Sequence, residues 1–305
     1  MARREGPRHL LTLLDFSARE LMGFLDLAAS LKAAFKKGKT DNCLKGKILA
    51  MVFEKSSTRT RVSFEAAMLQ LGGNAININA AESQLGRGET YEDTGRVLSR
   101  YVNGIMLRTF SQVNLEKMAE ASSVPVINGL TDLFHPVQVL ADLQTVLEVK
   151  KSLKDLKVAY VGDGNNLTNS WINAAIVLKF DLNAACPKGF QPSGAILNQI
   201  GSHPNIQISS DPVEAVKSAD VVYTDTWFSM GQKEDEKKRA LFQPFQINRE
   251  LLSHAQRDAM VLHCLPAHRG EEITDEVMDG PQSYVWDEAE NRLHMQKAIL
   301  KTLLG

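Results

Sequence analysis

The chain has 305 residues, 44% hydrophobic and 23% charged, an ordinary globular composition and about two domains' worth at roughly 100–200 residues each. Lysine plus arginine at 35 against 36 acidic residues leaves a net charge of -1, which denies nucleic acid or an anionic membrane a broad positive field, so any bound anion must be gripped locally. No apolar run reaches a membrane span or a secretory leader, and Cys43, Cys186 and Cys264 lack disulfide or zinc-knuckle spacing, so the chain reads as a soluble cytoplasmic enzyme.

Ser17 and Glu20 form a capping box ahead of Leu21, Phe24, Leu25, Ala28, Leu31 and Phe35 at helical spacing, which predicts a helix ending near Gly38. Ile48–Phe53 is a short continuous apolar run of the kind buried on both faces of a parallel sheet. A helix follows over 58–71, closed by Gly72-Gly73. Strands are predicted at 75–78, 104–107 and 124–127, alternating with helices over 90–101 and 111–121. His135-Pro136 starts a long helix to 150, with proline in its first turn. The alternation then restarts, with strands at 157–161, 182–185, 206–208, 221–224 and 261–263 and helices over 169–179, 193–200 and 212–218. Gly231–Lys238, GQKEDEKK, reads from composition as a solvated loop, and a last amphipathic helix covers 288–304. The pattern predicts an α/β chain of two doubly wound parallel-sheet domains, with ligands beyond the carboxyl ends of strands at the switch points.

The densest chemistry is Ser56-Ser57-Thr58-Arg59-Thr60-Arg61, which follows a buried strand and opens a helix. Helix-terminal N–H groups, hydroxyls and a guanidinium in one turn suit a phosphate, although the glycines of a Walker loop are absent; the alternative is an ordinary N-cap flanked by surface arginines. Arg108 ends an apolar strand, where a charge is out of place unless it faces a ligand. His135 and Gln138 share a first helical turn and suit a carbonyl oxygen and an amide nitrogen. In the second half, Gly162-Asp163-Gly164-Asn165-Asn166 is an incomplete dinucleotide fingerprint lacking its third glycine. Asp225 and the run His263-Cys264-Leu265-Pro266-Ala267-His268-Arg269 follow two further strands. His263, Cys264 and His268 fit no standard zinc spacing, and Cys264 stays open as a covalent nucleophile.

SSTRTR, HPVQ, DTWFSMG and HCLPAHRGEEI, in this order, resemble the motifs of the aspartate/ornithine carbamoyltransferase family over essentially the whole chain, its ornithine-directed members above all. The HPLPR-like segment of the aspartate-directed members is missing. The resemblance implies a carbamoyl-phosphate-binding domain over 1–140, with the C-terminal helix 288–305 returning to it, an ornithine-binding domain over 141–287, and an active site in the cleft between them. It also implies that Ser57, Thr58, Arg59 and Thr60 cradle the phosphate, Arg108 clamps phosphate and carbonyl, and His135 polarises the carbonyl oxygen. Gln138, the Cys264 and Leu265 carbonyls and Arg292 would fix the carbamoyl end. Asn166, Asp225, Ser229 and the Met230 backbone would hold L-ornithine, so that its δ-amine attacks carbamoyl phosphate to give citrulline and phosphate, as in arginine biosynthesis. Asp225 beside Cys264, or the leaving phosphate, would take the proton. No metal and no organic cofactor are implied.

The resemblance further implies that 225–238 is a lid over ornithine with its charges outward. It makes 82–89 a loop reaching a neighbouring subunit's site, with Gln84 acting in trans in a homotrimer. The competing readings are a carbamoyltransferase for putrescine, N-acetylornithine or lysine and, in another class, a nicotinamide-dependent dehydrogenase built on Gly162-Asp163-Gly164.

Overall fold

The computed structural model describes residues 6–201, 203–228 and 235–305. They form two compact units, residues 1–140 with 292–305 and residues 141–291. Each is a parallel sheet whose strands are linked by helices. Among the described residues, no helix is long and apolar enough to cross a membrane.

Unit 1 runs α1 (Ala18–Lys36), β1 (Ile48–Phe53), α2 (Thr58–Gln70), β2 (Asn74–Asn79), α3 (Tyr91–Leu98), β3 (Gly104–Arg108), α4 (Gln112–Ala121) and β4 (Val126–Leu130), then enters α5 (Pro136–Lys150). The expected capping box is present, with Glu20 Oε2 accepting from the Ser17 backbone N–H at 2.8 Å. The sheet order is β2-β1-β3-β4, so the chain reverses direction across the sheet between β1 and β3. Val52, Ile105, Leu107, Leu115 and Met118 form the core beneath. The predicted strand at 124–127 lies two residues later, starting after Pro125, because proline has no N–H for a ladder. Its free edge is covered by Leu10, whose N–H donates to Val126 O at 2.9 Å.

Unit 2 contains β5 (Lys157–Val161), α6 (Asn166–Leu178), β6 (Asp181–Ala185), α7 (Gly194–Ile200), β7 (Ile206–Ser209), α8 (Pro212–Val216), β8 (Val221–Thr224), α9 (Glu236–Phe242), α10 (Arg249–Leu252), β9 (Met260–His263) and α11 (Asp275–Met278), then enters α12 (Val285–Leu304). The order β7-β6-β5-β8-β9 puts the reversal between β5 and β8. Two expectations shift. α6 starts at Asn166 rather than 169, because Asn165 caps it by accepting from Leu167 N–H at 2.9 Å. The charged run 231–238 is not all loop, since Glu236–Phe242 is helical and Lys238 is buried; residues 231–234 lie outside the described residues.

The final helix begins at Val285, three residues before the predicted start. Within unit 1, its C-terminal half is tied down by Lys297 to Gln70 at 3.1 Å and Lys301 to Asp41 at 2.7 Å. Leu304 packs on Gly104, where a Cβ would meet it at 3.0 Å.

Candidate active site

Both sheets place polar side chains at the carboxyl ends of the strands flanking their reversal, where open α/β sheets take ligands. In unit 1 these are the turn after β1 and the end of β3. Ser57 caps α2 by accepting from Thr60 N–H at 3.3 Å. Ser57 is half-buried, Thr58 and Arg59 are exposed, and Thr60 is buried. Arg108 is buried at the last residue of β3, where the register with β4 slips between Leu107↔Asn128 and Arg108↔Leu130. Gly129 makes that slip possible, since a Cβ there would lie 2.3 Å from the Met106 sulfur.

Thr60 Oγ1 is the meeting point of the cluster. It accepts from Arg108 Nη1 at 3.3 Å and from Arg292 Nη2 at 2.9 Å, while Arg292 Nη1 donates to Gln138 Oε1 at 2.5 Å. Gln138 thereby accepts from Arg292 through its amide oxygen, which fixes the orientation of its amide. His135 stands at the start of α5, after a turn in which Thr131 Oγ1 accepts from the N–H groups of Leu133 and Phe134 at 3.2 and 3.0 Å. Burial first, then the charges of Arg292 and Arg108, hold its imidazole well below the ordinary histidine range. At neutral pH it is therefore a neutral hydrogen-bond donor beside two fixed cations, a combination suited to a carbonyl oxygen that gains negative charge.

In unit 2 the residues after β5, β8 and β9 meet around Asp225, itself only 8% exposed. Asp225 Oδ1 accepts from Thr226 N–H at 2.8 Å and from Cys264 Sγ at 3.0 Å, and Oδ2 accepts from Asn165 Nδ2 at 2.8 Å. Burial and then the charge of Asp225 push the Cys264 thiol well above its usual value. It is a neutral donor to a carboxylate, not a thiolate.

The family model for the aspartate/ornithine carbamoyltransferase carbamoyl-P binding domain matches residues 8–148, and that for the Asp/Orn binding domain matches 154–303. The chain belongs to this family. The ornithine carbamoyltransferase of Syntrophus aciditrophicus is 53% identical over 300 residues, covering 97% of this chain and 99% of the relative. That of Pyrococcus abyssi is 52% identical, covering 98% and 96%. Among solved structures, ornithine carbamoyltransferase from Pyrococcus furiosus superposes with a TM-score of 0.94 at 50% identity, covering 98% of both chains.

Seven of the predicted site residues of this carbamoyltransferase fall into those two clusters. Thr60, Arg108, His135, Gln138 and Arg292 gather in unit 1; Asp225 and Cys264 gather in unit 2, with Asn166 opening α6 next to Asn165 and Leu265 following Cys264. Gln84 is exposed and precedes a short 3-10 turn, Leu85–Arg87. Ser229 and Met230, with the rest of 229–234 in the expected lid, lie outside the described residues. Leu265 adopts a left-handed φ of 57°, unusual for a side-chain-bearing residue, and its N–H donates to His263 Nδ1 at 2.9 Å.

That bond decides the metal question for His263. With Nδ1 accepting, the proton sits on Nε2, which faces Glu272 Oε1 at 3.0 Å, so both ring nitrogens are occupied. The grouping His263, Cys264 and His268 is not the one that forms. Among the described residues, groups close enough to share an ion are Asp225 with His263 and Cys264, and His268 with Glu271 and Glu272. In the first, Cys264 donates to Asp225 and His263 is engaged by Leu265 N–H and Glu272, and in the second Glu271 pairs with Arg239 at 2.9 Å.

The dinucleotide alternative also fails on geometry. Asn165 Oδ1 occupies the α6 terminus, and Gly164 is needed for packing, since a Cβ there would lie 2.4 Å from Pro192 N. Sequence reasoning missed Asn165 and Lys238. The first was absorbed into a glycine-rich fingerprint and the second into a charged run.

Proposed function

We propose that the chain transfers the carbamoyl group of carbamoyl phosphate to the δ-amine of L-ornithine, giving L-citrulline and phosphate. Unit 1 is the carbamoyl-phosphate-binding domain and unit 2 the ornithine-binding domain. Ser57, Thr58, Arg59 and Thr60 hold the phosphate at the α2 terminus, Arg108 and Arg292 neutralise it, and His135 donates to the carbonyl oxygen. Gln138 helps fix the carbamoyl end. Asp225, Asn166, Ser229 and Met230 take the amino-acid head group of ornithine.

In the reaction the neutral δ-nitrogen bonds to the carbonyl carbon, the tetrahedral oxyanion collapses, the C–O bond to phosphate breaks, and the phosphate leaves with the proton of the attacking amine. Charge builds where Arg108, Arg292 and His135 already stand, so preorganised electrostatics supplies the acceleration.

The observation that carries the reading is Asp225, a buried carboxylate that accepts from the neutral donors Thr226 N–H, Cys264 and Asn165. It suits an α-ammonium and gains nothing from an acetylated amine. The full-length likeness to ornithine carbamoyltransferases supports the same substrate. Citrulline formation from carbamoyl phosphate and ornithine, compared with putrescine, N-acetylornithine and lysine, tests it. A higher kcat/KM for any other amine refutes the assignment.

The reading includes a cytoplasmic homotrimer in which Gln84 serves a neighbouring subunit. It is supported by exposed Gln84 and by an apolar strip, Val62 and Leu69 on one face of α2 and Ile76 on edge strand β2, exposed by 59%, 59% and 48%. Sedimentation equilibrium showing a monomer at working concentration refutes it.

A further inference from the structure

Lys238 is a buried cation that none of the catalytic steps uses. It lies on α9 with only 9% exposure, and its ammonium sits 2.8 Å from Asp163 Oδ2. Three rings wall it in, with centroids at 5.0 Å for Phe190, 5.3 Å for Phe228 and 5.0 Å for Phe242. Phe190 and Phe242 pack edge-to-face at 4.9 Å, and Trp227 leans on Phe242 at 5.8 Å.

These groups come from four separate segments. Asp163 belongs to the turn after β5, Phe190 to the loop after β6, and Trp227 and Phe228 to the segment leaving β8 two residues beyond Asp225. Phe242 and Lys238 belong to α9. The turn after β5 is also held to the Phe190 loop by Gly164 N–H to Phe190 O at 2.8 Å. Two residues past Asp163, Asn165 donates to Asp225. The adjacent Arg239 ties the same helix to the loop after β9, through Glu271 Oε1 at 2.9 Å.

We propose that Lys238 is a positioning residue for the amino-acid site: paired with Asp163 in its aromatic box, it fixes the turn that carries Asn165 and Asn166 and thereby sets Asp225 for the substrate ammonium. The inference rests on the ornithine reading and deepens it. A buried ammonium costs desolvation unless it has both a charge partner and ring faces, and Lys238 has both. Removing it leaves Asp163 buried without its cation and lets the turn relax, and small displacements of a substrate-holding turn are expensive in affinity.

The test compares wild type with Lys238→Met, which keeps the volume, Lys238→Arg, which keeps the charge, and Asp163→Asn, by steady-state kinetics in both substrates and by thermal unfolding. Lys238→Met and Asp163→Asn should each raise the KM for ornithine by on the order of tenfold while the KM for carbamoyl phosphate stays within about twofold. The Lys238→Arg variant should recover most of the loss, and Lys238→Met with Asp163→Asn together should cost little more than either alone. Equal rises in both KM values, an unchanged ornithine KM in Asp163→Asn, or additive losses in the double variant would overturn the proposal. Should Lys238→Met fail to fold, Asp163→Asn and Lys238→Arg decide by the same criteria. Citrulline production by wild type judges the underlying reading separately, because the positioning role is read only from variant-to-wild-type ratios.

Discussion

Units 1 and 2 share one plan, a parallel sheet whose chain order reverses beside its first strand, yet they fill the crevice above that reversal with opposite chemistry. Unit 1 brings Arg108 and Arg292 onto the hydroxyl of Thr60, beside a histidine held neutral. Unit 2 brings Asn165 and a neutral thiol onto the carboxylate of Asp225. The topology decides only where a ligand sits; its sign is set by a handful of side chains at strand ends. A chain of nearly zero net charge can therefore handle a dianion and an ammonium by sorting its charges locally.

The largest effect should come from the cationic side. Arg108→Ala removes one of the two buried guanidiniums that meet at Thr60 and leaves Arg292 there alone. By the usual cost of losing one preorganised transition-state donor, kcat/KM for carbamoyl phosphate should fall about 10²- to 10³-fold. Near-normal turnover in a steady-state assay would remove Arg108 from the mechanism and with it the contrast between the units.

Asp225→Asn tests the acidic side. A charged hydrogen bond contributes roughly 1.5–3 kcal/mol, so the KM for ornithine should rise on the order of 10- to 100-fold, with the KM for carbamoyl phosphate almost unchanged. If both constants moved together, the two clusters would not be serving separate substrates.

Gly164→Ala separates packing from ligand binding. The new Cβ would lie 2.4 Å from Pro192 N and 2.6 Å from Phe190 O, both backbone atoms that cannot swing aside. Overpacking of this kind costs about 1–3 kcal/mol, to be read from the urea midpoint. An alanine variant of undiminished stability would reopen the question of why glycine stands there.

What the sequence disclosed follows the physics of each signal. β1, β5 and β8 lie where continuous apolar runs placed them, because strands buried on both faces admit nothing else. β4 was displaced by Pro125, and α10 and α11, four residues each, are too short to show a helical period. Ser57, Thr60 and His135 of unit 1 could be named from motifs because they stand in the turns and helix starts that follow strands. Lys238 could not, since its partner Asp163 is 75 residues away, and a charged run looks the same whether one of its lysines points outward or into an aromatic box.

The smallest effect should be at Cys264, and it bears on what a thiol is for in this site. A covalent mechanism needs a thiolate, yet burial and the neighbouring carboxylate push this thiol well above its usual range, and its Sγ lies 3.0 Å from Asp225 Oδ1 as a donor. Its direction of shift means that the proton stays on sulfur across the working pH range, so the pH–rate profile should show no inflection in the ordinary thiol region near ~8.5. Serine keeps a donor at the same place, so Cys264→Ser should hold the Asp225 carboxylate nearly as well and change kcat/KM by less than about tenfold, the equivalent of one hydrogen bond of modest net strength. Mass spectrometry of wild type during turnover should find no carbamoylated cysteine. A trapped adduct together with a dead serine variant would make the acidic cluster a nucleophilic one and dissolve the division of labour between the two units.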